Sequence, residues 1–465
     1  MQNKNAYVWG LITKVAPAAI QIVTNMILAR FLSPEDFGSI GVLTVIFTVA
    51  NVLVDSGLGG SLVKEKDISR IDCSTIFIFN LTVSIILYFV IFFSASHIED
   101  FFSIDGLSTI TRVLSLTFIL GSIGLVPRAI LIRNLKFNLI CEITIISTFI
   151  AALCSIVMAY MGFGVYSLVA NQLIISALTA LLSIFSTKYR CFWGFSVKSF
   201  KCLIPFGIFT SITSVIDTIY ENLITTLTGK CLNVSQAGYL SQAKKLEDGL
   251  SSSIASTIGN VSFPVLTKFK EDSISFNREA ISLFRTIVLF SFPILLTISL
   301  FSEQIVIIMF GQRWMPTAIY LQELIWAGLF IIMETTVRSY VKALCEVRKL
   351  MNATLVKRTI GIAIILSAIA INREWIIISY IISTVIGFII NMFLYAKISN
   401  HKFIPFLIKT CVYIIPPLLF YFLGIIVRFV VDSKMLCSFI VLAILVLYYL
   451  FLFAVHAKVR RHYSD

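Results

Sequence analysis

Stretches of about 20 apolar residues, the length that carries a helix across a ~30 Å hydrocarbon core, follow one another along the whole chain, separated by short polar turns and by Gly or Pro. Cutting at those interruptions predicts helices over residues 8 to 31, 37 to 58, 75 to 96, 107 to 127, 140 to 161, 164 to 186, 203 to 229, 235 to 266, 281 to 302, 316 to 342, 351 to 371, 375 to 396, 405 to 428 and 435 to 456. No strand-like alternation persists anywhere. The expected fold is an all-α polytopic membrane protein with about 14 transmembrane helices. The first apolar segment is too long for a signal-peptide core and is read as an uncleaved span.

Composition sharpens this picture. Of the 465 residues, 58% are hydrophobic and only 13% charged, where a soluble domain carries about a quarter charged residues. The formal net charge of +13 does not indicate nucleic acid, because the cations are scattered through short loops. With the amino terminus inside, the inside segments hold about 24 Lys and Arg and the outside segments about six. That bias places both termini in the cytoplasm. The nine cysteines show no paired spacing and read as small apolar residues, with no metal implied.

The chain also repeats itself at an offset of about 200 residues. FLSPEDFGSIG, from Phe31 to Gly41, matches CLNVSQAGYLS, from Cys231 to Ser241, with Gly38 against Gly238. An offset of six helices preserves sidedness, as in parallel transporter repeats. The expected organisation is two pseudo-symmetric six-helix lobes, 1–200 and 201–400, followed by two further helices and a cytoplasmic tail over 401–465.

Polar residues inside the spans are the candidates for function, because an ionisable group within a bilayer costs a few kcal/mol or more and usually faces a bundle interior or a wet cavity. In the seventh span Ser214, Asp217, Glu221, Thr225 and Thr228 fall on one helical face, as do Ser241, Lys245, Asp248, Ser252 and Ser256 in the eighth, with Lys244 at its edge. In the first span Lys14, Gln21 and Asn25 share a face. A rise of ~1.5 Å per residue puts Lys244 and Lys245 ~15 Å past Ser235, near the bilayer midplane. Two readings stand for these lysines: attraction of an anionic ligand, or structural pairing with Glu247, Asp248, Asp217 or Glu221. Lys14, Lys357 and Arg358 lie closer to the cytoplasmic end, where snorkelling to the interface is the competing reading, as does Asp55. Glu142, Glu323 and Glu334 fit either ion coupling or ordinary cavity polarity.

Catalytic patterns are missing: there is no Walker A loop, HExxH or GxSxG, and the four histidines have no partner at ligand spacing. A non-enzymatic membrane transporter is expected. Two alternatives are a cation-coupled multidrug exporter, which would favour an acidic, apolar cavity and twelve helices, and a membrane-embedded polysaccharide polymerase or ligase. The latter would carry a large outside loop, and the longest here, around 97–108 and 302–316, are short.

The ordered set LARFLSPEDFGSIGVL, VDSGLGGSLVKEKD, PRAILIRNLKFNLICE, PFGIF, GKCLNVSQAGYLSQAKKL, FPVLTKF and FGQRWMPTAIYLQ resembles the polysaccharide transporter (Wzx-type oligosaccharide flippase) family of the MATE/MOP superfamily. The resemblance runs from about residue 5 to 345, and the last four helices match only in being apolar. It implies a MATE-like pair of lobes working by alternating access in a bacterial inner membrane. The implied cargo is an undecaprenyl-diphosphate-linked oligosaccharide, turned from the cytoplasmic to the outer leaflet for O-antigen, capsule or exopolysaccharide biosynthesis. Implied partners are that lipid-linked cargo, the bilayer, and a polysaccharide polymerase with other assembly proteins; nucleic acid is not among them. The cavity cations the family uses toward diphosphate would be Lys14, Lys244, Lys245 and Arg338, on a polar face with Gln21, Asn25, Ser214, Asp217, Glu221 and Asp248. The chain departs from its relatives at Ile224, which follows Asn222 and Leu223 where they often carry Asp. Candidates for proton or sodium coupling are then Asp217, Glu221 and Asp55, and no cofactor is required.

Overall fold

A computed structural model of the chain describes residues 2–55, 61–62, 68–189, 193–269, 271–344, 346–399, 403–431, 436, 438–450 and 452. Among the described residues all extended regular structure is helical: α1 (Gln2–Phe31), α2 (Pro34–Asp55), α3 (Arg70–Phe102), α4 (Leu107–Leu114), α5 (Leu116–Arg133), α6 (Phe137–Tyr160), α7 (Val165–Thr187), α8 (Val197–Cys231) and α9 (Val234–Thr267). There follow α10 (Ser273–Leu300), α11 (Ser302–Met309), α12 (Met315–Ala343), α13 (Val347–Ile371), α14 (Ile376–Ile398), α15 (Phe403–Cys411), α16 (Ile415–Val430) and α17 (Ser438–Leu450). Ten of the described helical runs are long and apolar enough to cross a membrane, with α4 joined to α5 and α15 to α16. Helices α8 and α9 are as long as any, 35 and 34 residues, but carry the charged stripes.

Side-chain caps start several helices where the sequence turns polar. Ser33 and Asp36 form a capping box at α2: the Ser33 N–H donates to Asp36 Oδ2 at 2.8 Å, and the Asp36 N–H donates to Ser33 Oγ at 3.2 Å. Each bond satisfies a backbone donor that the helix leaves open, and Pro34 occupies a first-turn position where its missing N–H costs nothing. Two hundred residues later Asn233 caps α9, its Oδ1 accepting from the Gln236 N–H at 2.7 Å. The repeated turn is thus a repeated helix start.

The fold divides into two compact units, Met1–Ser241 and Gln242–Asp465. In the first, α1 packs on α6, α6 on α7, α7 on α5, α5 on α3, and α2 on α8. Small residues admit close approach, as expected where lipid supplies no hydrophobic drive between helices. Gly124 of α5 abuts Ala180 of α7, and Ser84 of α3 bonds Ser122 of α5 at 3.0 Å. The closest approach joins the two repeated turns: a Cβ on Gly38 would overlap the carbonyl oxygen of Val234, and one on Gly238 the carbonyl oxygen of Pro34. In the second unit α12 and α13 both pack on α14, and α10 packs on α12 and α16. The Tyr340 hydroxyl of α12 donates to the Ala280 carbonyl of α10 at 2.8 Å. Outward-facing positions are apolar, with Phe93 and Phe429 72% and 90% exposed, the arrangement of a surface solvated by lipid.

Candidate functional site

In the second unit Lys244 and Glu247 of α9, Glu334 of α12 and Lys357 of α13 are buried within helix packing, beside residues of α14. Lys244, one turn before Asp248 on α9, donates to Asp248 Oδ1 at 3.2 Å. Lys244 is 6% exposed and its ammonium lies 5.5 Å from the ring centroid of Tyr380 on α14, so an aromatic face stands where water would otherwise solvate the charge. Lys245 is exposed. Consecutive helical residues point ~100° apart, and the neighbouring lysines thereby lie on different faces: Lys244 against a carboxylate and a ring, Lys245 on an exposed one.

One turn on, Glu247 is buried and its Oε1 accepts from the Ser251 hydroxyl at 2.6 Å. Gly328 of α12 leaves the space that this carboxylate and hydroxyl fill. Six residues along α12, Glu334 forms an ion pair with Lys357 of α13; both are buried, and Gly387 of α14 leaves room for the Glu334 carboxylate. Lys357 thus turns into the helix packing toward a carboxylate and does not extend to an exposed surface. Glu334, for which ion coupling and general polarity were both open, has a resident cation. Arg338 follows one turn after Glu334, half-buried, with its Nε enclosed and without a hydrogen-bond partner. Lys244, Glu247 and Asp248 of α9, Glu334 and Arg338 of α12 and Lys357 of α13 thus make up a charged row on three helices, which also carry Lys245 and Arg358.

The candidates of the first unit are arranged differently. Gln21 of α1 donates to Asn171 of α7 at 3.4 Å, and Asn171 donates to Ser155 of α6 at 3.1 Å. Asn25 is buried one turn further along α1. The stripe on α8 divides along its length: Ser214 and Glu221 are exposed and Asp217 half-buried, while Thr225 and Thr228 are buried. That buried end lies where α8 meets α2, and Thr226 donates to the Val42 carbonyl of α2 at 3.2 Å. Asp55, at the end of α2, shares a cavity of about 640 Å³ with Arg128 of α5 and Ser176 and Thr179 of α7. The side chains of Lys14, Ser252 and Ser256 lie outside the described residues.

The sequence offered Asp248 as one of four possible partners of Lys244, and the structure selects it. Sequence spacing did not find Tyr380, the Glu334–Lys357 pair, the Asn171 relay or the glycines that make room for the acids. The available signal was a glycine inside an apolar helix, at Gly328 and Gly387, where close approach by a neighbour is a usual reason.

Charged residues packed between long apolar helices define a polytopic helical membrane protein. The lipid II flippase MurJ, in a structure described as its inward closed conformation, shares that fold with a TM-score of 0.76 at 14% identity, over 97% of this chain and 99% of that one. The chain belongs to the family described as "Polysaccharide biosynthesis protein", whose profile matches residues 27–319. It is 27% identical to the lipopolysaccharide biosynthesis protein WzxC of Escherichia coli (strain K12), over 69% of this chain and 66% of the relative. It is 24% identical to the succinoglycan biosynthesis transport protein ExoT of Rhizobium meliloti (strain 1021), over 66% of this chain and 62% of the relative.

Proposed function

We propose that the protein is a flippase that turns an undecaprenyl-diphosphate-linked oligosaccharide from the cytoplasmic to the outer leaflet of a bacterial inner membrane by alternating access. The observation that carries this reading is the row of charges on α9, α12 and α13 with Lys245 exposed beside it, in a chain of the polysaccharide biosynthesis family. A diphosphate cannot cross hydrocarbon alone; it needs cations and water, while a polyprenyl tail stays in lipid. Release requires that the attraction be modest. A row held in part by its own ion pairs, with Lys245 on an exposed face beside it, meets both demands.

In this reading Lys245 and Arg338 meet the diphosphate, with Lys14 as a third cation, and Lys244 holds the local geometry through Asp248 and Tyr380. Gln21, Asn25, Ser214, Asp217, Glu221 and Asp248 contribute a hydrated surface for the sugars. Protons or sodium act at Asp217, Glu221 or Asp55. The chain crosses the membrane fourteen times with both termini in the cytoplasm, as two six-helix lobes over 1–200 and 201–400 and a two-helix extension over 401–465. Those lobes follow sequence symmetry, whereas the packing units Met1–Ser241 and Gln242–Asp465 follow the contacts of one state, in which α8 packs on α2. A polysaccharide polymerase is the expected downstream partner.

The test is mass spectrometry of lipid-linked glycans in cells lacking the gene. Accumulation of an undecaprenyl-diphosphate oligosaccharide, cleared by the wild-type gene, is the expected result. Unchanged glycan display together with altered drug susceptibility would overturn the reading.

A further inference from the structure

We infer that a basic cleft between the starts of α10 and α15 is a binding site for an anionic glycerophospholipid of the surrounding membrane. A cavity of about 580 Å³ opens there, with Arg278 of α10 and Lys409 of α15 as its charged lining and Ile274, Ile281, Pro405 and Phe406 as its apolar walls. None of its lining residues is a carboxylate.

Position supports the assignment. Arg278 and Lys409 lie five and six residues into helices that begin at Ser273 and Phe403, so ~8–9 Å along the helix axis. The apolar spans read from the sequence begin at residues 281 and 405, so both cations fall near span ends, where headgroups meet acyl chains. It is also the end of these helices that the Lys and Arg distribution assigns to the cytoplasm, where anionic lipid attracts basic clusters. Beside the cations, Ile274, Ile404 and Ile408 are 80%, 65% and 60% exposed. A free phosphate would gain nothing from three outward isoleucines, whereas a lipid presents an acyl chain to them and its phosphate to the cations. Two turns further along α10, Arg285 lies 5.7 Å from the ring centroid of Tyr413, outside the cleft. Asn277 is already engaged: its Nδ2 donates to the Ser273 carbonyl at 2.6 Å and its Oδ1 accepts from the Tyr395 hydroxyl. Recognition is therefore assigned to charge, with no amide contact.

The inference is independent of what the protein transports. Full-length protein in neutral detergent is titrated separately with phosphatidylglycerol, phosphatidylethanolamine, inorganic phosphate and a polyprenyl phosphate. The unfolding midpoint and the lipid-bound species in native mass spectrometry are the readouts. Phosphatidylglycerol is expected to raise the midpoint and stay bound, and the other three are expected to do less. R278Q/K409Q should weaken phosphatidylglycerol binding about twentyfold and K409Q alone about fivefold, while R278K/K409R retains it. Lys409 is exposed, so K409Q reads binding in a folded protein even where the double variant unfolds. An equal response to phosphatidylethanolamine or inorganic phosphate, a stronger response to the polyprenyl phosphate, or wild-type binding by K409Q would each overturn the inference.

Discussion

Lys357 donates to Glu334 across the α13–α12 contact, and the two residues are 3% and 7% exposed. Removing one member strands the other in a poorly solvated place. Lys357→Met is expected to cost about 3–5 kcal/mol, and Lys357→Met combined with Glu334→Leu to recover most of that loss, because a buried pair replaced by apolar groups is often near neutral. Thermal unfolding midpoints of both singles and the double test this; equal losses in the single and double variants would contradict it.

The two lysines of α9 should separate in their effects. Lys245→Ala is expected to abolish glycan-lipid export while leaving the unfolding midpoint within about 0.5 kcal/mol of wild type, as exposed substitutions do, with activity restored by Lys245→Arg. Lys244→Ala is expected to lower stability by about 1–3 kcal/mol, since it removes a charge-assisted bond to Asp248 and the contact with Tyr380. Complementation of a deletion strain, read alongside melting curves, distinguishes them. The same defect from both would remove the division of roles.

Gly38→Ala and Gly238→Ala should each destabilise by about 1–3 kcal/mol, because the added methyl meets a backbone carbonyl that cannot swing aside as a side chain would. Gly121→Ala serves as the control, since a Cβ there meets nothing within 4 Å. Denaturation midpoints in one detergent provide the comparison, and indistinguishable values for all three variants would count against the reciprocal crossing.

Asp272 caps α10 outside the membrane. The Ser275 hydroxyl and the N–H groups of Ile274 and Ser275 hold its carboxyl below the usual carboxylate value. A lowered folded-state pKa means that the contribution is present above the unfolded value, about 3.9, and is lost as pH falls through the folded value. Asp272→Asn keeps a capping oxygen but cannot titrate, so its melting midpoint should fall less than wild type's between pH 5 and 3. Parallel pH profiles for the two proteins would refute the assignment.

Much of the fold was readable in the sequence because lipid imposes a one-dimensional rule: every span must be long and apolar, and polar caps mark where it starts. The turns before residues 37 and 235 marked two helix starts to within a few residues, and Asp248 stood among the four partners offered for Lys244. Contacts between helices were much less legible. Lys357 could equally have reached the interface, and only the packing of α12 against α13 decides for Glu334; Tyr380 lies far along the chain from Lys244, with no spacing to connect them. The α8 stripe shows another limit. Its regular period joined Ser214 to Thr228, but one end is buried where α8 meets α2 and the other is open, because periodicity specifies a face without saying what covers it.

Gly328 and Gly387 each leave the space occupied by a carboxylate from another helix. Across diverging sequences these residues should therefore be inherited as sets. A relative with an apolar residue in place of Glu334 is released from keeping both Gly387 and Lys357, and one that loses Glu247 is released from Gly328. Co-substitution at these positions would trace the charged row through the family's history even where overall identity has faded.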